Sequence, residues 1–228
     1  MDYRTLEVAR ERLGDPTALQ PEMAQLEVAT GNWPRAATEW RMALLRQPGL
    51  GASAAFALQA APVAVRERLL RVLTEGDSAV GPRRVAAELL VGWNEPERAW
   101  AMLRSALPRE RSELAAVLRG FVDRARAQPG EAAQRVAGAA LEQLAAALPP
   151  SEASSWRIEA ARAYAEAGDG AAARRVLRVM ADDPNAPASV AVSAATTLIG
   201  LHVREGNPAE AERLLEQDRG RLPGSEVG

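Results

Sequence analysis

The feature that most constrains this chain is a spacing repeated around three glycines, Gly31, Gly168 and Gly206. Seven residues before each stands a small or apolar side chain (Ala24, Ala161, Ile199), and five residues after each stands an alanine (Ala36, Ala173, Ala211). A bulky apolar residue follows four later (Trp40, Leu177, Leu215). Proline comes seventeen residues after the glycine at Pro48 and Pro223, and one residue earlier at Pro184. Each position has a physical role. Glycine permits the left-handed turn that joins two helices. The paired small residues let those helices approach, the bulky residue fills the gap to a neighbouring pair, and proline ends the second helix. The spacing therefore predicts helical hairpins, most clearly over 17–49, 154–187 and 192–224.

Between these hairpins the periodicity stays helical. Tyr3 to Leu13 forms a weak apolar stripe closed by Gly14. Asp15-Pro16 can start a second helix, a start that Pro21 would shift by a turn, with Met23, Leu26, Val28 and Ala29 inward. Residues 50–61, 62–75, 82–91, 98–107, 109–127 and 131–148 each read as helical. The turn at Gly92-Trp93-Asn94-Glu95-Pro96 echoes Gly31-Asn32-Trp33-Pro34 and marks a decayed copy of the same hairpin. Pro149-Pro150 is the strongest punctuation and a candidate seam at 149–150, followed by helices over 156–167, 171–181, 189–205 and 208–219. No stretch alternates at period two for long enough to make a strand. The expected fold is all-α, with about 12–13 helices in one domain over 1–228.

Composition agrees with that class. Alanine dominates an apolar fraction of 47% while aromatics are 4%, and alanine is the strongest helix former. Formal charge is −2, from 28 basic and 30 acidic residues, so no bulk field directs the chain to nucleic acid. The Arg-richer middle, 62–135, has 13 Arg against 10 acidic residues, too dilute for a nucleic-acid stripe. All basic residues are arginine, which fits a GC-rich, bacterial coding bias better than a surface built for anions. The absence of cysteine excludes disulfides and thiolate metal sites. The N-terminus, charged from its second residue, reads as neither signal peptide nor membrane anchor, so membrane insertion is not expected. Compartment is not readable: cytoplasmic is the default, and periplasmic fits a piece of a longer secreted protein.

With the glycine spacing in view, the chain resembles the tetratricopeptide repeat family, whose unit of about 34 residues is two antiparallel helices. The three glycines are 137 and 38 residues apart, and the first interval is about four such units. The resemblance is close over roughly 100 of the 228 residues and fades across 50–148. It implies a right-handed α-solenoid of antiparallel helix pairs, a non-catalytic scaffold that binds a protein or peptide in a groove lined by the first helix of each pair. Carried onto this chain, that groove takes Glu22, Gln25, Arg84, Glu88, Glu159, Arg162, Glu166 and Arg204. The Lys and Asn with which some members clamp a C-terminal carboxylate are missing from these helices.

Trp33 and Trp93, placed in turns, are the candidate exposed anchors for a partner, while Trp40 and Trp100 read as core between repeats. His202, the one histidine, lies between Leu201 and Val203 and reads as structural. A lone histidine without cysteine makes a metal site improbable, and no catalytic constellation or cofactor motif is present. The expectation is a non-enzyme with no cofactor. The other reading is the helical scaffold portion of a larger enzyme or of a secretion or envelope assembly. The short first helix is a poor cap, so self-association through the N-terminal end is also expected.

Overall fold

The computed structural model describes residues 3–15, 18–76, 80–182, 187–217 and 219. Among these, every regular element is a helix: α1 (Tyr3–Leu13), α2 (Gln20–Ala29), α3 (Trp33–Arg46), a 3-10 turn at Pro48–Leu50, α4 (Gly51–Leu58), α5 (Val63–Leu73), α6 (Val80–Gly92), α7 (Pro96–Arg104), α8 (Arg111–Arg126), α9 (Glu131–Ala147), α10 (Pro150–Glu166), α11 (Gly170–Ala181), α12 (Ala188–Arg204) and α13 (Pro208–Gln217). The all-α expectation holds. Three helices start earlier than expected, α6 at Val80, α7 at Pro96 and α10 at Pro150. Pro34, Pro96 and Pro150 lie in the first turns of α3, α7 and α10, where the missing N–H has no intrahelical partner to lose. Pro21 holds the same place in α2 and sets its late start at Gln20. Pro184 and Pro223 lie outside the described residues, as do Pro16 and the Gly-Ser tail.

The chain divides into two compact units, Met1–Leu107 and Pro108–Gly228. Pro149-Pro150 falls inside the second unit, where α9 and α10 on either side of it pack against each other. In the first unit α2 packs on α3 and α6 on α7, while α3 also carries α5 and α4 packs on α6. In the second unit each helix packs on the next, from α8 through α13.

Four turns share one backbone pattern. Asn32, Glu95, Asp169 and Asn207 each donate their backbone N–H to the carbonyl five residues back, at 2.8 Å, 2.8 Å, 2.8 Å and 2.9 Å. This closes the preceding helix around a residue with positive φ. That residue is Gly31, Gly168 or Gly206 in three of them, and Asn94, at φ 63°, in the fourth. Asn94 therefore stands where glycine was expected, since asparagine tolerates the left-handed region better than other side chains. Counting from Asn94 restores the core positions, Ala87 seven before, Ala99 five after and Leu103 four later, all buried, with proline three residues early at Pro108. The copy read as decayed has every core position intact.

The small residues do what the spacing asks of them. Ala24, Ala36, Ala87, Ala99, Ala161 and Ala173 are each at most 1% exposed, so these helices meet almost backbone to backbone. Trp40, Leu103 and Leu177 fill the next layer, but Leu215 is 47% exposed and Leu214 takes the buried place on α13. On α2 the inward face is Met23, Ala24 and Glu27, with Ala29 exposed. The Glu27 carboxylate, enclosed there, meets Arg35 at 3.3 Å.

Six polar contacts between segments of the chain fall at separations of 31 to 34 residues. In the first unit Arg41 donates to the Glu75 carbonyl and Trp93 Nε1 to the Gln59 carbonyl, each across 34 residues, and Arg98 to Glu67 across 31. In the second, Arg126 donates to Glu159 and Arg175 to Glu142, each across 33, and Arg174 to Glu205 across 31.

Candidate binding cleft between α10 and α12

In the second unit, the side chains of α10 and α12 enclose a cleft of about 720 Å³. Arg162, Ala165 and Glu166 line it from α10, and Thr197, Gly200, Leu201 and Arg204 line it from α12. Gly168, Gly170 and Glu205 close one side. Three of the eight expected groove residues, Arg162, Glu166 and Arg204, thus face one space. Glu159 adjoins them: it accepts from Arg162 at 2.8 Å and from Arg126 of α8 at 3.0 Å.

The ionic groups of the cleft are unequal. Arg162 and Glu205 are engaged by Glu159 and Arg174 respectively. Glu166 and Arg204 are exposed and form no ion pair among the described residues, one anion and one cation with their hydrogen-bonding capacity free. Thr197 donates its hydroxyl to Ser193 O at 2.7 Å and keeps its lone pairs.

Gly200 is the position that sequence reasoning passed over. It sits inside α12, where glycine costs about 0.5–1 kcal/mol relative to alanine. A Cβ placed there would meet nothing within 4 Å, so no neighbouring side chain requires the glycine. The effect is to leave the α12 backbone bare at the cleft floor. Gly170 differs: a Cβ there would overlap the Glu205 carboxylate, so the glycine lets Glu205 lie over the start of α11.

The α10 wall is fixed from neighbouring helices. Tyr164 donates its hydroxyl to Glu142 Oε2 of α9 at 2.7 Å, and Arg175 of α11 grips both Glu142 oxygens at 2.9 Å and 2.7 Å. Burial pushes the Glu142 carboxyl up, but the hydrogen bonds from Arg175 and Tyr164 outweigh it and hold the group below the ordinary carboxylate range. Burial and the same carboxylate push the Tyr164 hydroxyl up, so it stays a donor. Gly138 of α9 admits the Tyr164 ring, which a Cβ would meet at 3.0 Å.

The other expected groove residues lie in the first unit. Glu22 and Gln25 are exposed on α2. Arg84, on α6, donates to the Ala106 carbonyl at 3.2 Å, and Glu88 is half-buried one turn along. None of these four lines the cleft. Trp93, expected as an exposed anchor, is buried at 8% exposure: its indole N–H reaches the Gln59 carbonyl at 2.9 Å and the Arg66 guanidinium stacks 4.7 Å from its ring centroid. The turn places the ring against the end of α4 and Arg66 of α5 rather than toward solvent. Trp33 is half-buried at the start of α3. His202 is enclosed on α12, one residue from the cleft-lining Leu201, and neither ring nitrogen has a hydrogen-bond partner among the described residues.

No protein-family model, curated protein or solved structure matches this chain. Its local chemistry therefore carries the functional reading. Among the described residues no group of three or more His, Asp or Glu side chains is placed to hold a metal ion, and no helix is long and apolar enough to cross a membrane.

Proposed function

We propose that this chain is a non-catalytic interaction module, a right-handed solenoid of tetratricopeptide-like antiparallel helix pairs, that holds an extended segment of a protein partner in the cleft between α10 and α12. The shared turn pattern and the six polar contacts separated by 31–34 residues support the repeat. Both are what stacked pairs of about 34 residues would produce, because equivalent positions in successive pairs become neighbours.

The observation that carries the binding reading is Gly200, bare between the free Arg204 and Glu166. An extended peptide presents carbonyl and N–H groups along its edge and has no bulk of its own at the backbone. Arg204 can donate to a carbonyl or an acidic side chain, and Glu166 can accept from an N–H or a basic one. A bare helix backbone lets the peptide main chain approach between them.

The test is a displayed-peptide library selected on the wild-type chain, with the selected peptide measured by fluorescence polarisation against Gly200→Trp, Gly200→Ala, Arg204→Ala and Glu166→Ala. Gly200→Trp, whose Cβ meets nothing within 4 Å and whose ring would occupy the cleft, is expected to abolish binding while its thermal melt shows the fold retained. Arg204→Ala and Glu166→Ala are each expected to weaken it about tenfold. Failure to select any peptide, or equal binding by Gly200→Trp, would refute the proposal.

A further inference from the structure

Glu166 and Arg204 hold the same place before two successive turns. Each stands two residues ahead of the positive-φ glycine, Gly168 or Gly206, and each lines the α10–α12 cleft. One helical turn back, six residues ahead of the same glycines, the equivalent pair is Arg162 and Gly200. One rank of the cleft therefore offers an anion from α10 and a cation from α12. The rank behind it offers an arginine already engaged by Glu159 and a stretch of bare backbone. The other carboxylate of the cleft, Glu205, is taken up by Arg174. Glu166 and Arg204 form no ion pair among the described residues, either with each other or with a neighbour.

Resting on the reading of this cleft as a peptide site, we infer that it selects a segment with one basic and one acidic side chain two residues apart, the basic one against Glu166 and the acidic one against Arg204. A charge in a cleft loses water when a ligand covers it. An opposite charge offsets that loss, where a neutral carbonyl or N–H does so only in part. Two residues is the spacing that fits. Alternate side chains of an extended segment share a face at about 7 Å, whereas neighbouring residues point to opposite faces and a spacing of four spans about 13 Å. Helices in contact, as α10 and α12 are, lie about 8–10 Å apart, a gap that the long Glu and Arg side chains narrow from both walls. The pair also rejects partners of a single sign. A run of acidic residues or a phosphate chain would set like charge on Glu166, and a run of basic residues would set it on Arg204.

The test starts from the peptide that a displayed library yields on the wild-type chain, measured by fluorescence polarisation. Its consensus is expected to hold an Arg or Lys and an Asp or Glu two positions apart, and changing either to alanine should weaken binding about tenfold. Charge reversal then separates side-chain pairing from contact with the peptide backbone. Arg204→Glu should weaken the selected peptide about a hundredfold, and lysine in place of the peptide's acidic residue should restore affinity to within about threefold. Glu166→Lys should behave likewise when the peptide's basic residue becomes glutamate. Both side chains are exposed, so these variants should melt with the wild type. A peptide that loses binding to Gly200→Trp but carries no oppositely charged pair, or a reversal that is not rescued, overturns this inference and leaves the peptide site standing. Failure to select any peptide overturns both. Displacement of the peptide by an equal concentration of the dipeptide glycylglycine would assign the two charges to a small zwitterion and overturn the inference as well.

Discussion

Replacing His202 by leucine should make this protein more stable. The imidazole is 5% exposed on α12, and neither Nδ1 nor Nε2 has a hydrogen-bond partner among the described residues. A neutral imidazole carries one donor and one acceptor, and both leave water on folding without replacement. An unsatisfied buried polar group costs about 1–3 kcal/mol. Leucine is slightly larger than histidine and wholly apolar, and it should pack against the Leu198, Leu201 and Leu214 cluster. A branched side chain does not match the flat ring, and the cost of repacking offsets part of this, so the net gain expected is about 1–2 kcal/mol. For a chain of this size that raises Tm by about 2–8 °C. The assay is urea unfolding followed by circular dichroism, with calorimetry to locate Tm. His202→Asn is the control: it keeps a polar group, removes volume and should lose about 2 kcal/mol or more. A His202→Leu protein destabilised by 1 kcal/mol or more would mean that the nitrogens are satisfied in solution, and the reasoning would be refuted.

Three further outcomes are expected. Gly138→Ala should destabilise by about 1–3 kcal/mol in a thermal melt, because its Cβ would press the Tyr164 ring at 3.0 Å, whereas Gly200→Ala, with nothing within 4 Å, should stabilise by about 0.5–1 kcal/mol. Asn94→Ala should cost about 1 kcal/mol in urea unfolding and Asn94→Gly little, since position 94 sits at φ 63°. Glu142, with its folded pKa held below the ordinary glutamate value of 4.5, contributes stability that is present above that value and lost as pH falls through the folded one. Wild type should therefore lose more stability than Glu142→Gln in urea titrations taken downward from about pH 5, and parallel curves would show that the carboxylate is not linked to folding.

Much of the fold was legible because its information is local. Gly31, Gly168 and Gly206 announce left-handed turns, and Ala36, Ala173 and Ala211 announce close helix contacts, on grounds that need only neighbours in sequence. The fourth turn was half-read because Asn94 does by tolerance what glycine does without strain. Had asparagine been admitted at the turn position, Ala87, Ala99 and Leu103 would have completed the pattern. The Trp93 placement failed for a different reason. Sequence shows a tryptophan beside a turn, but not that the Gln59 carbonyl, 34 residues earlier, waits for its N–H.

The cleft was legible only in part, and along the same line. Heptad-like spacing puts Arg162 and Glu166 on one face of α10, but that Arg204 joins them follows from how α10 and α12 meet. Gly200 gives no sequence signal beyond a glycine inside an apolar helix; its meaning is the empty space beside it, which only packing creates. The sequence by itself determined the helices, their turns and their small-residue faces, because backbone sterics and helical periodicity act over a few residues. Tertiary structure alone decided which charges are spent in pairs and which stay free, which tryptophan is covered, and where a helix backbone lies bare. Those depend on residues some thirty positions apart becoming neighbours, a distance over which local propensity carries no information.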